Sequence, residues 1–456
     1  MQRATLVIAL ASAVLCDAAA QCSLNEKSSY MDWPTVRLSN GVVEVELLPQ
    51  VGGRVIQVRY DGHEYLWANP RNAGRLYSPD DNGWSNWKNY GGDKLWTAPQ
   101  GWDGPGQWPG PGDPTHDGGP FLLETLSSGG SEVAVRLTGP TDATTGLQFI
   151  REVRLFPGES KVHFINTLRN NGARVQRWGI WQVTQHNAAL DGGFNKSLWA
   201  FAPMNPLSVY PSGYNVEFGL VGDQQWQPDA KRGLFQLHYQ HSVGKVGLDA
   251  DAGWLAVVDA ASGYGFASLF ESFPGADYPH KAGVEFWVNG RGEFFAAHQR
   301  IAMPTADEDP MYYLESEVHS PFMELAPGES GSIAHTWGLC KAARPVVAAD
   351  DRMMLFRPLA YVGDDGAAPR GFAGRWEGAF GVFVTGNLEL VLQDLSRKSV
   401  LRHDFGRIRA GELVDAAGVA PLAGAVLPVD FVPHYGVLRL TPDDGQALEL
   451  DRCWLY

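Results

Sequence analysis

The sequence predicts an all-β protein: a large antiparallel β-sandwich followed by a small C-terminal β domain. Three observations carry this. The 456 residues include 53 glycines and 29 prolines, a supply of turn formers suited to many short strands. Long stretches alternate apolar and polar residues, the period of a half-buried strand. No stretch shows the 3.6-residue apolar period over a helix's length, although short helical turns fit within the loops.

Taken in order, residues 36–67 read VRLSNGVVEVELLPQVGGRVIQVRYDGHEYLW, an alternating pattern broken at Asn40-Gly41, Gly52-Gly53 and Asp61-Gly62. These breaks are tight turns, so the segment is an antiparallel meander. Arg54 opens one of its strands and suits either an ion pair or a ligand contact. Strands resume with VAVRLTGP, LQFIREVRLFPGESKVHFINTLRNNG and RWGIWQVTQHN, with turns at FPGES and RNNG and with Lys161 and Arg169 at solvated positions. Residues 198–229, rich in proline, glycine and aromatics, are expected as an irregular rim loop. Strands then continue to Trp337. A linker is expected over 341–354, and closely spaced strands over 355–456 form the small C-terminal domain, where His403 and His434 fit surface or turn positions. The main domain is therefore expected over 36–340, with 21–35 as an N-terminal extension.

The first twenty residues carry Arg3, an apolar run from Ala4 to Leu15 and the small residues Ala18-Ala19-Ala20. This is the pattern of a secretory signal peptide, too short to span a bilayer, so a secreted or periplasmic product without a membrane anchor is expected. Export permits disulfides, and one bond at most among Cys22, Cys340 and Cys453; the sequence does not choose among the three pairings, of which Cys340 to Cys453 would tie the C-terminal region to the main domain. The net charge of −15 is spread along the chain without a basic cluster, which argues against nucleic acid and anionic membranes as partners.

One stretch stands out chemically. Asn89 to Phe121, NYGGDKLWTAPQGWDGPGQWPGPGDPTHDGGPF, places Trp96, Trp102 and Trp108 beside Asp93, Lys94, Asp113, His116 and Asp117 in a chain too rich in glycine and proline for a helix. Indole faces stack on the C–H surfaces of sugar rings, and charged groups bond their hydroxyls, so a carbohydrate is the expected partner. The same indoles also suit a loop that simply covers the end of a β core. No P-loop, dinucleotide-binding glycine pattern, HExxH or Gly-x-Ser-x-Gly occurs. Three cysteines without close pairs argue against a structural zinc site, and no metal or cofactor is expected. Among the twelve histidines, His186 in QHN, His116 in HDGG and His280 in DYPHKAG rise above the background, as does Tyr278 in the last motif. Glu315 and Glu317 in YYLESEVHS lie two apart on a predicted strand and so share a face.

The segments GGRVIQVRYDGHEYLW, YGGDKLWTAPQ, HDGGPF, WQVTQHNAAL, YPHKAGVEFWVNG and YLESEVHSPFMELAPGES follow the order seen in the galactose mutarotase-like superfamily, which includes the aldose 1-epimerases. The chain most resembles a branch of it defined by a domain of unknown function, with YGGDKLW as the telling signature. The resemblance covers about residues 36–340. It implies a supersandwich whose concave face binds a sugar or glycan end, and an isomerase activity in which a histidine protonates the ring oxygen while a glutamate removes the anomeric hydroxyl proton. By motif position, His186 is the acid and Glu315 the base, with Asn89, Asp93, Lys94, Trp96, Trp102, His116, Asp117, Gln185 and Tyr278 contacting the substrate. The epimerase His-Gly-Gly is matched by Asp117-Gly118-Gly119, which puts an acid where a second histidine is expected. A non-catalytic glycan-binding protein and an accessory or lyase-type component of glycan degradation are the alternative readings.

Overall fold

The computed structural model describes residues 21–81, 87–100, 113–296, 299–303, 311–363, 375–418, 431–443 and 445–455. Trp102 and Trp108 and the leader-like residues 1–20 lie outside the described residues. The regular structure of the described residues is strand, with only short 3-10 turns besides.

The main body is a single antiparallel ribbon of strands folded back on itself. One layer is built, in order of pairing, from Leu234–His238, Leu198–Pro203, Trp254–Asp259, Tyr264–Phe270, Ser330–Lys341, Lys161–Asn170, Leu147–Leu155, Glu132–Thr138 and Leu122–Gly130. The other runs through Cys22–Tyr30, Trp33–Ser39, Val43–Leu48, Arg54–Tyr60, Asp93–Ala98, Gln176–Asn187, Tyr313–His319, Val284–Val288, Gly244–Leu248 and Asn215–Phe218. The layers join at one seam, where Cys22 pairs with Gly130 and Ser23 with Gly129. The segment expected as an extension over 21–35 thus supplies a strand and the start of the next.

Alternation in each layer sends one set of side chains inward. Val135, Phe149, Phe164, Phe266 and Trp337 meet Val45, Val58, Leu95 and Ile180 in one part of the core. Leu198, Phe235, Leu255 and Val257 meet Phe286, Leu314 and Val318 in another. The predicted turns occur where expected. Asp61 and Gly62 both have positive φ (50° and 75°), the conformation that closes a two-residue hairpin.

Three local expectations are corrected. Residues 198–229 open with a true strand, Leu198–Pro203, whose continuous apolar run is buried on both sides and so lacks the alternation that signals a strand. Lys161 is buried and ion-paired to Glu159 at 3.0 Å rather than solvated. Cys22, Cys340 and Cys453 are all free thiols. Cys340 fills a notch over Gly381, where an added Cβ would lie 2.4 Å from its sulfur, and Cys453 sits opposite Gly436 on another strand, so the two sulfurs serve separate packing sites.

The C-terminal residues form two four-stranded sheets enclosing their own core of Trp376, Phe380, Leu390, Leu438 and Leu450. Phe383 and Met354 reach back to pack with Trp199, Trp254 and Cys340 of the main body.

Candidate functional site

Five neighbouring strands of the second layer define a buried face opposite the one that carries Leu95, Ile180 and Leu314: Asp93–Ala98, Gln176–Asn187, Tyr313–His319, Val284–Val288 and Gly244–Leu248. Residues directly opposite each other across a ladder share a face. The register pairs Trp96 with Trp181, Lys94 with Val183, Gln185 with Glu315, Glu315 with Trp287, Glu317 with Glu285 and Lys245 with Trp287. One face therefore gathers Lys94, Trp96, Trp181, Gln185, Glu285, Trp287, Glu315, Glu317, His319 and Lys245.

The charges on it form two groups. In the first, Lys94 Nζ lies 3.3 Å from Glu315 Oε1, which also accepts from Gln185 Nε2 at 2.6 Å. The ammonium stands 4.5 Å from the Trp96 ring centroid, a cation–π contact. Burial lowers the Lys94 pKa, opposed by Glu315. In the second, Lys245 Nζ bridges Glu285 (2.6 Å) and Glu317 (2.9 Å) and lies over Trp181 at 4.5 Å, while Trp181 Nε1 donates to Glu317 at 2.8 Å. Burial alone would lower the Lys245 pKa, but Glu285, Glu317 and Glu217 outweigh it and hold the ammonium charged. Glu285 is raised by burial yet driven well below the carboxylate range by Lys245, His319 and His280. Glu317 goes the other way, pushed up to about 8 by burial, which Lys245 only partly offsets. Adjacent carboxyl groups with pKa values forced apart are the arrangement that acid–base chemistry requires.

The sequence-derived candidates divide sharply. Lys94, Trp96, Gln185 and Glu315 lie together on this face. His186 does not: it projects into the core, where its Nε2 meets Ser316 Oγ at 2.8 Å and its ring packs edge-on to Phe266. Burial lowers its pKa to about 3, so it is neutral and on the opposite side of the sheet from Glu315. The acid–base pair of His186 and Glu315 is therefore corrected. Asp93 likewise points inward, paired with Arg151 and accepting from Gln182 Nε2 (3.0 Å) and Thr184 Oγ1 (2.7 Å). Adjacent strand residues face opposite ways, which also separates Asp93 from Lys94.

Asp117 is a structural hub. Its carboxylate is bound by Arg54 at 2.5 Å and accepts from Trp87 Nε1 (2.9 Å) and Trp96 Nε1 (3.1 Å), fixing two indoles at the edge of the face. Gly91 and Gly92 explain the signature beside it: both have positive φ, and a Cβ would stand 2.2 Å from Trp67 O and 2.4 Å from Val55 O. Asn89 is buried, its carbonyl accepting from Asn69 and Asn72. Tyr278 turns aside to accept from the Phe273 amide at 3.0 Å, whereas His280, two residues on, reaches Glu285 at 2.9 Å.

His116 is buried behind the loop, with Nε2 donating to Leu147 O at 3.2 Å and Nδ1 3.1 Å from Asp113. Burial lowers its pKa, but Asp113 more than reverses this, and the shift is upward; Asp113, raised by burial, is drawn down further by His116. The histidine's contribution to stability is full below its unfolded pKa of about 6.5 and lost as pH rises through the higher folded value; the carboxylate's is present above its unfolded pKa and lost as pH falls through the lower folded one. Urea unfolding across a pH series is expected to show His116→Gln losing most stability relative to the wild type in mildly acidic buffer, the gap narrowing toward alkaline pH.

Sequence reasoning did not find Lys245, Glu285, His319 or Trp181. A signal existed for one of them, because Glu315, Glu317 and His319 are spaced by two on a single strand.

Comparison with solved structures returns matches of low identity. A galactose mutarotase-like protein from Clostridium acetobutylicum superposes with a TM-score of 0.45 at 12% identity, covering 70% of this chain and 99% of that one. A proposed aldose 1-epimerase from Klebsiella pneumoniae gives 0.44 at 14%, covering 70% and 83%. A TPR-domain containing protein from Parabacteroides distasonis gives 0.45 at 14%; 70% of this chain matches it, and the match spans about half of that protein, 49%. No protein-family model and no curated protein matches the chain.

Proposed function

We propose that the chain binds a sugar or glycan end on the face of Trp96, Trp181, Glu315 and Glu317, and interconverts the anomers of an aldose or uronic acid there. The observation that carries this reading is the pair Glu315 and Glu317: two buried carboxyl groups on one face, each served by its own buried lysine and flanked by an indole. One carboxyl supplies a proton to the ring oxygen while the other removes the anomeric hydroxyl proton. The C1–O5 bond breaks, a C1 carbonyl forms, rotation about C1–C2 exposes its other face, and closure returns both protons. Lys94 and Gln185 orient Glu315, and Lys245 and the Trp181 indole orient Glu317. The basic, apolar and small-residue pattern of residues 1–20 supports export to the periplasm or medium, where free glycan ends are available.

Saturation-transfer NMR between the two anomeric protons tests this. Added protein is expected to speed exchange for at least one member of a panel of aldoses and uronic acids, and unchanged exchange across the panel would remove the catalytic claim. A second reading, glycan binding without turnover, is favoured by the ties already holding both carboxyl groups. It predicts calorimetric binding that is lost in Trp181→Ala with no effect on anomer exchange.

A further inference from the structure

Beside the two carboxyl groups, the same face carries a donor set that the anomerisation chemistry does not use. His280, Glu285 and His319 offer two imidazole nitrogens and a carboxylate oxygen that all lie within 4.8 Å of one another. His319 is 2% exposed, and neither of its ring nitrogens has a hydrogen-bond partner among the described residues. A buried imidazole left in that state is costly. Its Nε2 nonetheless lies 3.0 Å from Glu285 Oε2, close enough to touch but out of hydrogen-bonding alignment. That relation fits two ligands of one ion as well as it fits an ion pair. Donors each about 2.0–2.2 Å from a tetrahedral zinc stand roughly 3.3 Å apart and aim at the ion instead of at each other.

The rest of the surroundings agree. Trp181 stacks on the His319 ring at 5.1 Å and 22°, fixing its plane. His280 occupies a turn with φ of 52°, unusual for a histidine, and Tyr210 Oη donates to its carbonyl at 2.9 Å, holding that conformation with the imidazole turned toward Glu285. Lys245 Nζ also reaches Glu285, at 2.6 Å, so the carboxylate stands between an ammonium and the two imidazoles. His280 is the most exposed of the three donors and marks the side from which an ion enters.

We propose that His280, Glu285 and His319 form a site for a zinc-type divalent cation at the edge of the Trp181 face. Two histidines and one carboxylate leave a fourth coordination position open to water or to a ligand oxygen, the donor set of a zinc site that is not closed off by protein. The Nδ1 hydrogen bond from His280 to Glu285 gives way to the metal bond on loading. This proposal does not depend on the sugar reading, because it concerns binding of the metal alone.

The test uses the full chain, stripped by chelator and titrated with zinc sulfate against a chromophoric competitor, with no sugar present. One tightly held zinc per chain is expected, and replacement by cobalt(II) should give visible ligand-field bands of a low-coordinate nitrogen and oxygen site. His280→Asn keeps a residue tolerant of positive φ on a partly exposed turn and so preserves the fold. It is expected to weaken zinc binding by more than about tenfold, the least that disturbing even the supports of a metal site costs. His403→Asn, in the C-terminal domain, should bind as the wild type does. Absence of stoichiometric zinc, absence of cobalt bands, or equal affinity in His280→Asn and wild type would each overturn the site. Anomer exchange, measured separately, reports on the sugar reading whatever the zinc result.

Discussion

Replacing Arg54 by methionine is expected to destabilise the folded chain by about 3–5 kcal/mol, the cost of removing one member of a buried ion pair. Arg54 and Asp117 are both fully buried and lie 2.5 Å apart. The guanidinium also donates to Gly91 O at 2.9 Å, so it ties the glycine turn before the Asp93–Ala98 strand to the loop that returns through Asp117. Without it, Asp117 loses its buried guanidinium partner, while the Trp87 and Trp96 indoles still donate to it. Those indoles then lose the fixed acceptor that orients them. Urea unfolding followed by tryptophan fluorescence should show a lower midpoint with an unchanged slope, and near-ultraviolet circular dichroism should show altered indole packing. The double variant Arg54→Met, Asp117→Leu should recover much of the loss, since an apolar pair of suitable volume replaces a buried ion pair at little cost. A single variant as stable as the wild type would show that the pair does not hold the loop.

The second large effect falls on turnover. Glu315→Gln keeps the shape of the side chain and an acceptor for the Gln185 amide, but removes the charge beside Lys94 and the capacity to take a proton. Anomer exchange is expected to fall by about 10²–10⁴-fold, the usual contribution of a positioned acid or base. Sugar affinity, set mainly by the indoles, should change far less, so the variant separates binding from chemistry. Full exchange activity in Glu315→Gln would exclude Glu315 as a proton carrier and leave it as a binding group.

How much of this was legible in the chain depends on distance along it. The all-β class, the hairpins at Asn40-Gly41 and Asp61-Gly62, and the common face of Glu315 and Glu317 follow from alternation and turn chemistry, which are local. The role of His186 depended on which face one residue occupies, and in a strand a shift of one position reverses every side chain. Gln185 occupies the face on which the histidine was expected. Lys245 and Glu285 meet Glu317 only through cross-strand register, which no local pattern encodes. Asp117 resembled a ligand because an acid in a loop of tryptophans fits both roles; its bonds to Arg54 and to two indoles decide for structure. The free thiols show the same limit, since the pairing of two cysteines depends on where their Cβ atoms point rather than on their compartment.

The seam at Cys22 and Gly130 has a kinetic consequence. Because both layers are one ribbon, and the strands of the charged face run from Asp93 to His319, nearly every contact that builds it joins residues far apart in sequence. Closing such long loops before the core rewards them makes β-rich chains of this kind slow to form. The face is therefore a product of the whole ribbon, since no single hairpin contains the residues that make it.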